Sequence, residues 1–224
     1  MKSVKNALKT VAMFNPVKLS NKYINTVINN GFRTSKNKQF NSLLIQKFCK
    51  KIGVKYGVTV SSGTAGLHVA LLSLELKKND EVIMPSITMS AVLYSILLCG
   101  AKPVFADIDE ETMCISSQSV KSKITKNTKA IVTVSLFGLP PNLSEINSII
   151  KNTKRKIYLI EDNAESLLAK HKKKYVGNFG DFSMFSFQAS KMLTCGEGGI
   201  LVTNKKKLYE KSKIYSNLGY FIRN

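Results

Sequence analysis

The chain has 224 residues, of which 44% are hydrophobic, enough to bury one large core and typical of a folded globular protein. No apolar stretch approaches the roughly 18 uninterrupted residues of a membrane span, and Lys9 interrupts the short apolar patch near the N-terminus, so a cytoplasmic protein without a signal peptide is expected. The net charge of +20 is carried by lysines scattered along the chain, the arginines being Arg33, Arg155 and Arg223; this argues against nucleic-acid binding and for a field that draws in anionic small molecules.

In chain order, short apolar runs alternate with helical patterns. Leu44, Phe48 and Ile52 fall four apart and mark a helix stripe. Val58-Thr59-Val60 reads as a strand, and residues 64–76 as a helix with Leu67, Leu71 and Leu74 on one face. Residues 81–84 form a strand stopped by Pro85; residues 88–98 form a helix that Gly100 caps. Strands follow at 103–106, 130–135, 157–160, 182–187 and 200–202, and helices at 116–124, 143–150 and 205–215. Lys172-Lys173-Lys174 reads as an exposed turn and Lys205-Lys206-Lys207 as a helix start. This predicts an α/β fold of three layers, a mostly parallel sheet flanked by helices, with ligands at the carboxyl ends of the strands.

Four cysteines, Cys49, Cys99, Cys114 and Cys195, have irregular spacing and read as reduced packing residues. With His68 and His171 far apart, no metal-ligand pattern emerges. No G-x-G-x-x-G follows the first strand, which argues against a dinucleotide oxidoreductase.

Three segments carry chemistry. Ser61-Ser62-Gly63-Thr64 lies between a strand and a helix, where free N–H groups and the helix dipole suit a phosphate, although such a turn is more commonly a plain cap. Ile157-Tyr158-Leu159-Ile160 ends in Glu161 and Asp162; a carboxylate there can hold the proton of a ring nitrogen. Asp162 is preferred because neighbours on a strand face opposite ways and the shorter acid suits a close contact. Lys191 follows a strand, with Phe185, Phe187, Met192 and Leu193 expected to give its amine apolar surroundings and Gly196-Glu197-Gly198-Gly199 a tight turn. Ser186, five residues before it, is a second phosphate ligand in this reading.

With these residues, and with Asp80 to Ser86, Gly100 to Phe105 and Ala164, the sequence resembles the DegT/StrS family of sugar aminotransferases, pyridoxal 5'-phosphate enzymes of fold type I, from about Ile24 to Gly219. The resemblance implies Lys191 as the catalytic residue and Schiff-base carrier, Asp162 as partner of the pyridine nitrogen, and Gly63, Thr64 and Ser186 as phosphate ligands. It places Met89 where the family has an aromatic residue over the ring. Glu165 stands where many members have His or Gln. Glu165 resembles the branch that aminates 4-keto-6-deoxy sugars, and Gln188 the branch that aminates cyclitol ketones; both acceptors stay open. The family's dehydratase branch carries His in place of the lysine, so Lys191 points to amino transfer. Glutamate or glutamine as donor, a nucleotide-linked keto sugar as acceptor and a homodimer with a shared active site are implied. So is an organisation of an N-terminal arm over 1–30, a cofactor-binding large domain over 31–216, and residues 217–224 leading toward a smaller C-terminal domain that the sequence stops short of. A non-catalytic or split member of the family is the alternative.

Overall fold

A computed structural model describes residues 18–31 and 34–217; the arm before residue 18 and the stretch after 217 lie outside the described residues. The chain divides into two compact units, residues 1–44 and 45–224. In the first, helix α1 (Lys18–Asn29) precedes the start of α2 (Thr34–Ile52), and Tyr23 meets Phe40 edge to face at 5.5 Å. No helix among the described residues is long and apolar enough to cross a membrane.

The second unit is built on a sheet of seven strands: β1 (Tyr56–Val60), β2 (Glu81–Pro85), β3 (Lys102–Ala106), β4 (Thr128–Val134), β5 (Tyr158–Asp162), β8 (Phe182–Ser186) and β9 (Gly199–Thr203). Their order across the sheet is β1-β9-β8-β5-β4-β2-β3. β3, β2, β4, β5 and β8 pair in parallel, and β9 runs against both β8 and β1. Parallel neighbours require crossovers. Helices supply those after β1, β2, β3 and β4, namely α3 (Gly63–Leu72), α4 (Ser90–Leu98), α5 (Ser117–Lys123) and α6 (Leu143–Asn152); β5 reaches β8 through a short hairpin, and α7 (Lys206–Tyr215) follows β9.

Alternation along the strands separates two cores. Val82 and Met84, Ala130 and Val132, and Ile160 face one side, where Leu67, Leu71, Val92, Ile96 and Leu208 of α3, α4 and α7 cover them. Ile83, Ile131 and Leu159 face the other, against Val120 of α5 and Ile146 of α6. Sequestering both faces explains why these strands read as continuous apolar runs. The expected three-layer α/β architecture is what the chain adopts.

Some boundaries differ from the sequence pattern. α3 stops at Leu72, not Leu76: the Ser73 hydroxyl bonds back to the Val69 carbonyl (2.6 Å) and Glu75 turns the chain with φ of +55°. β2 runs through Pro85, which pairs with Ala106. Two short strands, β6 (Lys170–His171) and β7 (Lys174–Tyr175), form a hairpin whose turn residues Lys172 and Lys173 both have positive φ, as a primed turn demands. The lysine run there is thus the expected exposed turn.

The connection into β8 is held by one buried carboxyl group. Glu161 is 1% exposed. Its Oε1 accepts from the N–H groups of Phe179 (2.8 Å) and Gly180 (2.6 Å) and from Ser183 Oγ (2.8 Å). Its Oε2 accepts from the Gly177 N–H (2.8 Å) and from Asn163 Nδ2 (3.4 Å). Gly180 permits the close turn, because a Cβ there would sit 2.7 Å from the Leu159 carbonyl oxygen. Glu161→Gln places two amide hydrogens among five donors. It is expected to destabilise the chain by about 3 kcal/mol or more, seen as a fall in the urea midpoint.

Candidate active site

Five strand ends deliver the site. β1, β2, β4, β5 and β8 finish at one edge of the sheet, and β9 begins there. Between them lies a cavity of about 360 Å³, within the range of small-molecule sites. All seven residues singled out from the sequence, Gly63, Thr64, Met89, Asp162, Glu165, Ser186 and Lys191, line it.

At one end stands the N-terminus of α3. Ser62 caps it, its Oγ accepting from the Ala65 N–H (3.1 Å), and the first bond along the helix joins the Gly66 N–H to the Ser62 carbonyl (3.1 Å). The N–H groups of Gly63 and Thr64 precede that bond and belong to the helix's positive pole. Gly63 is buried against β8: a Cβ there would meet Ser186 Cβ at 3.0 Å and Met184 Sδ at 3.1 Å. The missing side chain brings the helix start and the Ser186 hydroxyl together as one cradle.

At the other end, Asp162 closes β5 with its side chain in the cavity. Its Oδ1 accepts from the Ala164 N–H (3.0 Å). Burial pushes its carboxyl group up to about 6, against smaller opposing effects of the Ala164 N–H and the Lys191 ammonium; Glu165 adds to the rise. Glu161, the competing acid, points to the opposite face and serves the turn before β8.

The Lys191 amine enters between these ends. Gln188 shapes its loop: Gln188 Oε1 accepts from the Ser190 N–H (2.9 Å) and hydroxyl (2.5 Å), and the Gln188 carbonyl accepts from the Lys191 N–H (2.9 Å). Lys191 Nζ pairs with Glu165 Oε1 at 3.3 Å. Glu165 Oε2 accepts from the Phe137 N–H (3.0 Å), which ties the Leu136–Gly138 turn to the same carboxylate.

The apolar surroundings of the amine differ from the sequence expectation. Phe185 and Phe187 lie on the far side of β8, edge to face with Phe48 at 5.0 and 5.8 Å, and Met192 and Leu193 are 71% and 45% exposed. Leu67, Val134, Leu136, Ala164 and Met184 wall the cavity instead. Alternation explains it: Met184 and Ser186 share one face, Phe185 the other. Cys195, expected to pack, is exposed, with its Sγ donating to the Glu197 carbonyl (3.1 Å). Met89 ends the loop before α4, lines the cavity and is 63% exposed. Thr88 went unnoticed in the sequence. It too lines the cavity, and its buried Oγ1 has no hydrogen-bond partner.

An anion cradle, a carboxyl group, a lysine amine and an orphaned hydroxyl around a mostly apolar cavity match the donor set that pyridoxal 5'-phosphate requires. An ionised Asp162 is destabilising because the group is buried. Since its pKa lies above the ordinary carboxylate value of 3.8, its contribution to stability is complete below about pH 4 and is lost as pH rises through about 6. The size is about 3 kcal/mol. Asp162→Asn is expected to flatten this dependence and to stabilise the chain at pH 7, as measured by urea unfolding from pH 4 to 8 without added cofactor.

The chain is 41% identical over 197 residues to GDP-perosamine synthase of Escherichia coli O157:H7, covering 88% of this chain and 53% of that protein. Among solved structures, an aminotransferase from Psychrobacter cryohalolentis superposes with a TM-score of 0.84 at 32% identity, over 89% of this chain and 50% of that one. An E. coli GDP-4-keto-6-deoxy-D-mannose-3-dehydratase with bound hydrated pyridoxal phosphate superposes with a TM-score of 0.80 at 34% identity, over 88% and 51%. The chain therefore spans about half the length of the relatives it matches. The DegT/DnrJ/EryC1/StrS aminotransferase family matches residues 17–223, and the chain belongs to that family.

Proposed function

We propose that this chain is the cofactor-binding part of a pyridoxal 5'-phosphate-dependent aminotransferase acting on a nucleotide-linked keto sugar. The observation that carries the reading is the convergence of Lys191, Asp162 and the Gly63/Ser186 cradle on one cavity. Gly63, Thr64 and Ser186 would hold the phosphate, Asp162 the protonated ring nitrogen, and Met89 would cover the ring with a thioether. Bound there, the cofactor supplies an electron sink for breaking bonds at an amino-bearing carbon. The chain's own contributions follow from its geometry. Lys191 Nζ is the amine that can take and return a proton, and Glu165 Oε1 at 3.3 Å fixes where it points. Leu67, Val134, Leu136 and Met184 give that exchange an apolar wall.

The amino donor is glutamate or glutamine, and the acceptor a GDP-linked 4-keto-6-deoxy sugar. This is supported by the 41% identity to a GDP-perosamine synthase, by the likeness to a dehydratase named for such a substrate, and by the +20 charge, which favours an anionic nucleotide. These relatives favour a nucleotide sugar over a cyclitol. A lysine at position 191 supports amino transfer over dehydration.

Pyridoxal phosphate added to the purified chain is expected to give a visible absorption band that Lys191→Ala abolishes. Glutamate is expected to bleach that band, and GDP-4-keto-6-deoxymannose to restore it. A band that glutamate and glutamine leave unchanged would sink the aminotransferase reading and favour a non-catalytic member of the family.

A homodimer is proposed on separate grounds. Tyr94, Leu97 and Leu98 lie on one stripe of α4 and are 58%, 49% and 67% exposed. An apolar stripe of that kind on a helix apolar all round suits burial against a second copy. Leu98→Asp is expected to halve the mass measured by light scattering while leaving the far-UV spectrum unchanged.

A further inference from the structure

The six residues from Glu161 to Ser166 divide their work. Asp162, Ala164 and Glu165 line the cavity, whereas Glu161, Asn163 and Ser166 are each 1% exposed and face the interior. Asn163 joins the interior set. Its Oδ1 accepts from Ser135 Oγ (2.9 Å) and Ser166 Oγ (3.0 Å), and its Nδ2 donates to Glu161 Oε2 (3.4 Å). Its backbone N–H donates to the Met184 carbonyl on β8 (2.9 Å), and the Ser135 N–H donates to the Asp162 carbonyl (3.0 Å). The end of β4, the end of β5 and the turn after it meet at the side-chain amide, and the backbone N–H of the same residue joins them to β8.

We propose that Asn163 is a positioning residue for the reaction: its amide locks the ends of β4 and β5 and the 163–166 turn so that Asp162 and Glu165 both face the cofactor and Lys191. The chemistry demands an amide. Two hydroxyl donors require one oxygen with two lone pairs, and the Glu161 carboxyl group requires a donor on the same planar group. An aspartate can satisfy the hydroxyls but sets a second carboxylate against Glu161; an alanine strands Ser135 and Ser166 without partners in a buried site. A carboxylate on the residue before Asn163 and another two residues after it lose their shared aim if the turn relaxes.

The other titratable groups that line the cavity with Asp162 are Lys191, Glu165 and Glu197. Loosening the turn admits water beside Asp162, so its titration moves down toward the ordinary carboxylate range. The proposal rests on the cofactor reading above, and the experiment separates the two. The chain and its Asn163→Ala, Asn163→Asp, Ser135→Ala and Ser183→Ala variants are titrated with pyridoxal phosphate by absorbance, and their stability without cofactor is followed against pH. Ser183→Ala is the control, since it removes a bond to Glu161 (2.8 Å) without touching β4 or the 163–166 turn.

Asn163→Ala is expected to weaken pyridoxal phosphate binding roughly tenfold or more and to lower the pH midpoint of the Asp162 stability step. Ser183→Ala is expected to lower stability while keeping the affinity within about twofold and the midpoint in place. Ser135→Ala and Asn163→Asp carry the test should Asn163→Ala fail to fold, with a weaker affinity expected for both. An unchanged affinity and midpoint in the folded Asn163 and Ser135 variants overturns the proposal. Failure of the unsubstituted chain to bind pyridoxal phosphate overturns the cofactor reading instead, and the midpoint shift then decides the role of Asn163 alone.

Discussion

Everything in the site depends on which way two adjacent acids face at the end of β5. Successive residues of a strand point to opposite sides of the sheet. Glu161 therefore turns inward, where five donors meet it, and Asp162 turns into the cavity. The longer acid reaches across to the turn before β8 and so sets where β8 starts. β8 in turn carries Ser186, and beyond it Lys191. One carboxyl group thus organises the scaffold while its neighbour is left short of partners, and the first makes the second possible.

Much of this was written in local pattern. The alternation of apolar runs with helical stripes placed nearly every strand and helix, because strands buried on both faces have a continuous signature. Lys191, Asp162 and Gly63 could be picked out because each sits just past such a run. What stayed hidden came from long range. Four of the five donors to Glu161 lie 16 to 22 residues downstream, three of them in a turn whose sequence gives no periodicity and the fourth in β8. Phe185 and Phe187 look like pocket walls in one dimension, yet strand alternation sends both to Phe48. Met192 and Leu193 are apolar but fall in a loop that no element covers. Thr88 carries no signal at all, since an orphaned hydroxyl is visible only after the fold has removed every partner from it.

Burial holds Asp162 against its own preference for water, and the proposed cofactor would relieve it by offering a proton-bearing ring nitrogen. Binding and stability then draw on the same interaction: the worse the carboxylate is accommodated without ligand, the more it gains when the ligand arrives. The same trade explains why an apolar wall and a charged floor coexist in one small space. Glu165 works differently. Bonded at once to the Lys191 ammonium and to the Phe137 N–H, it reports the position of the amine to the turn after β4.

The antiparallel strand β9 has a consequence for synthesis on the ribosome. Among the described residues it alone bridges β1 and β8, pairing Tyr56 with Thr203 and Ser186 with Gly199. The Ser62–Thr64 turn follows β1 and the Lys191 loop follows β8, so the pairing that joins their two strands waits until residues 199–203 have been made. A contact spanning that much sequence is slow to close. A nascent chain halted before Gly199 would carry the Gly63 turn and the Lys191 loop after strands that lack their shared neighbour.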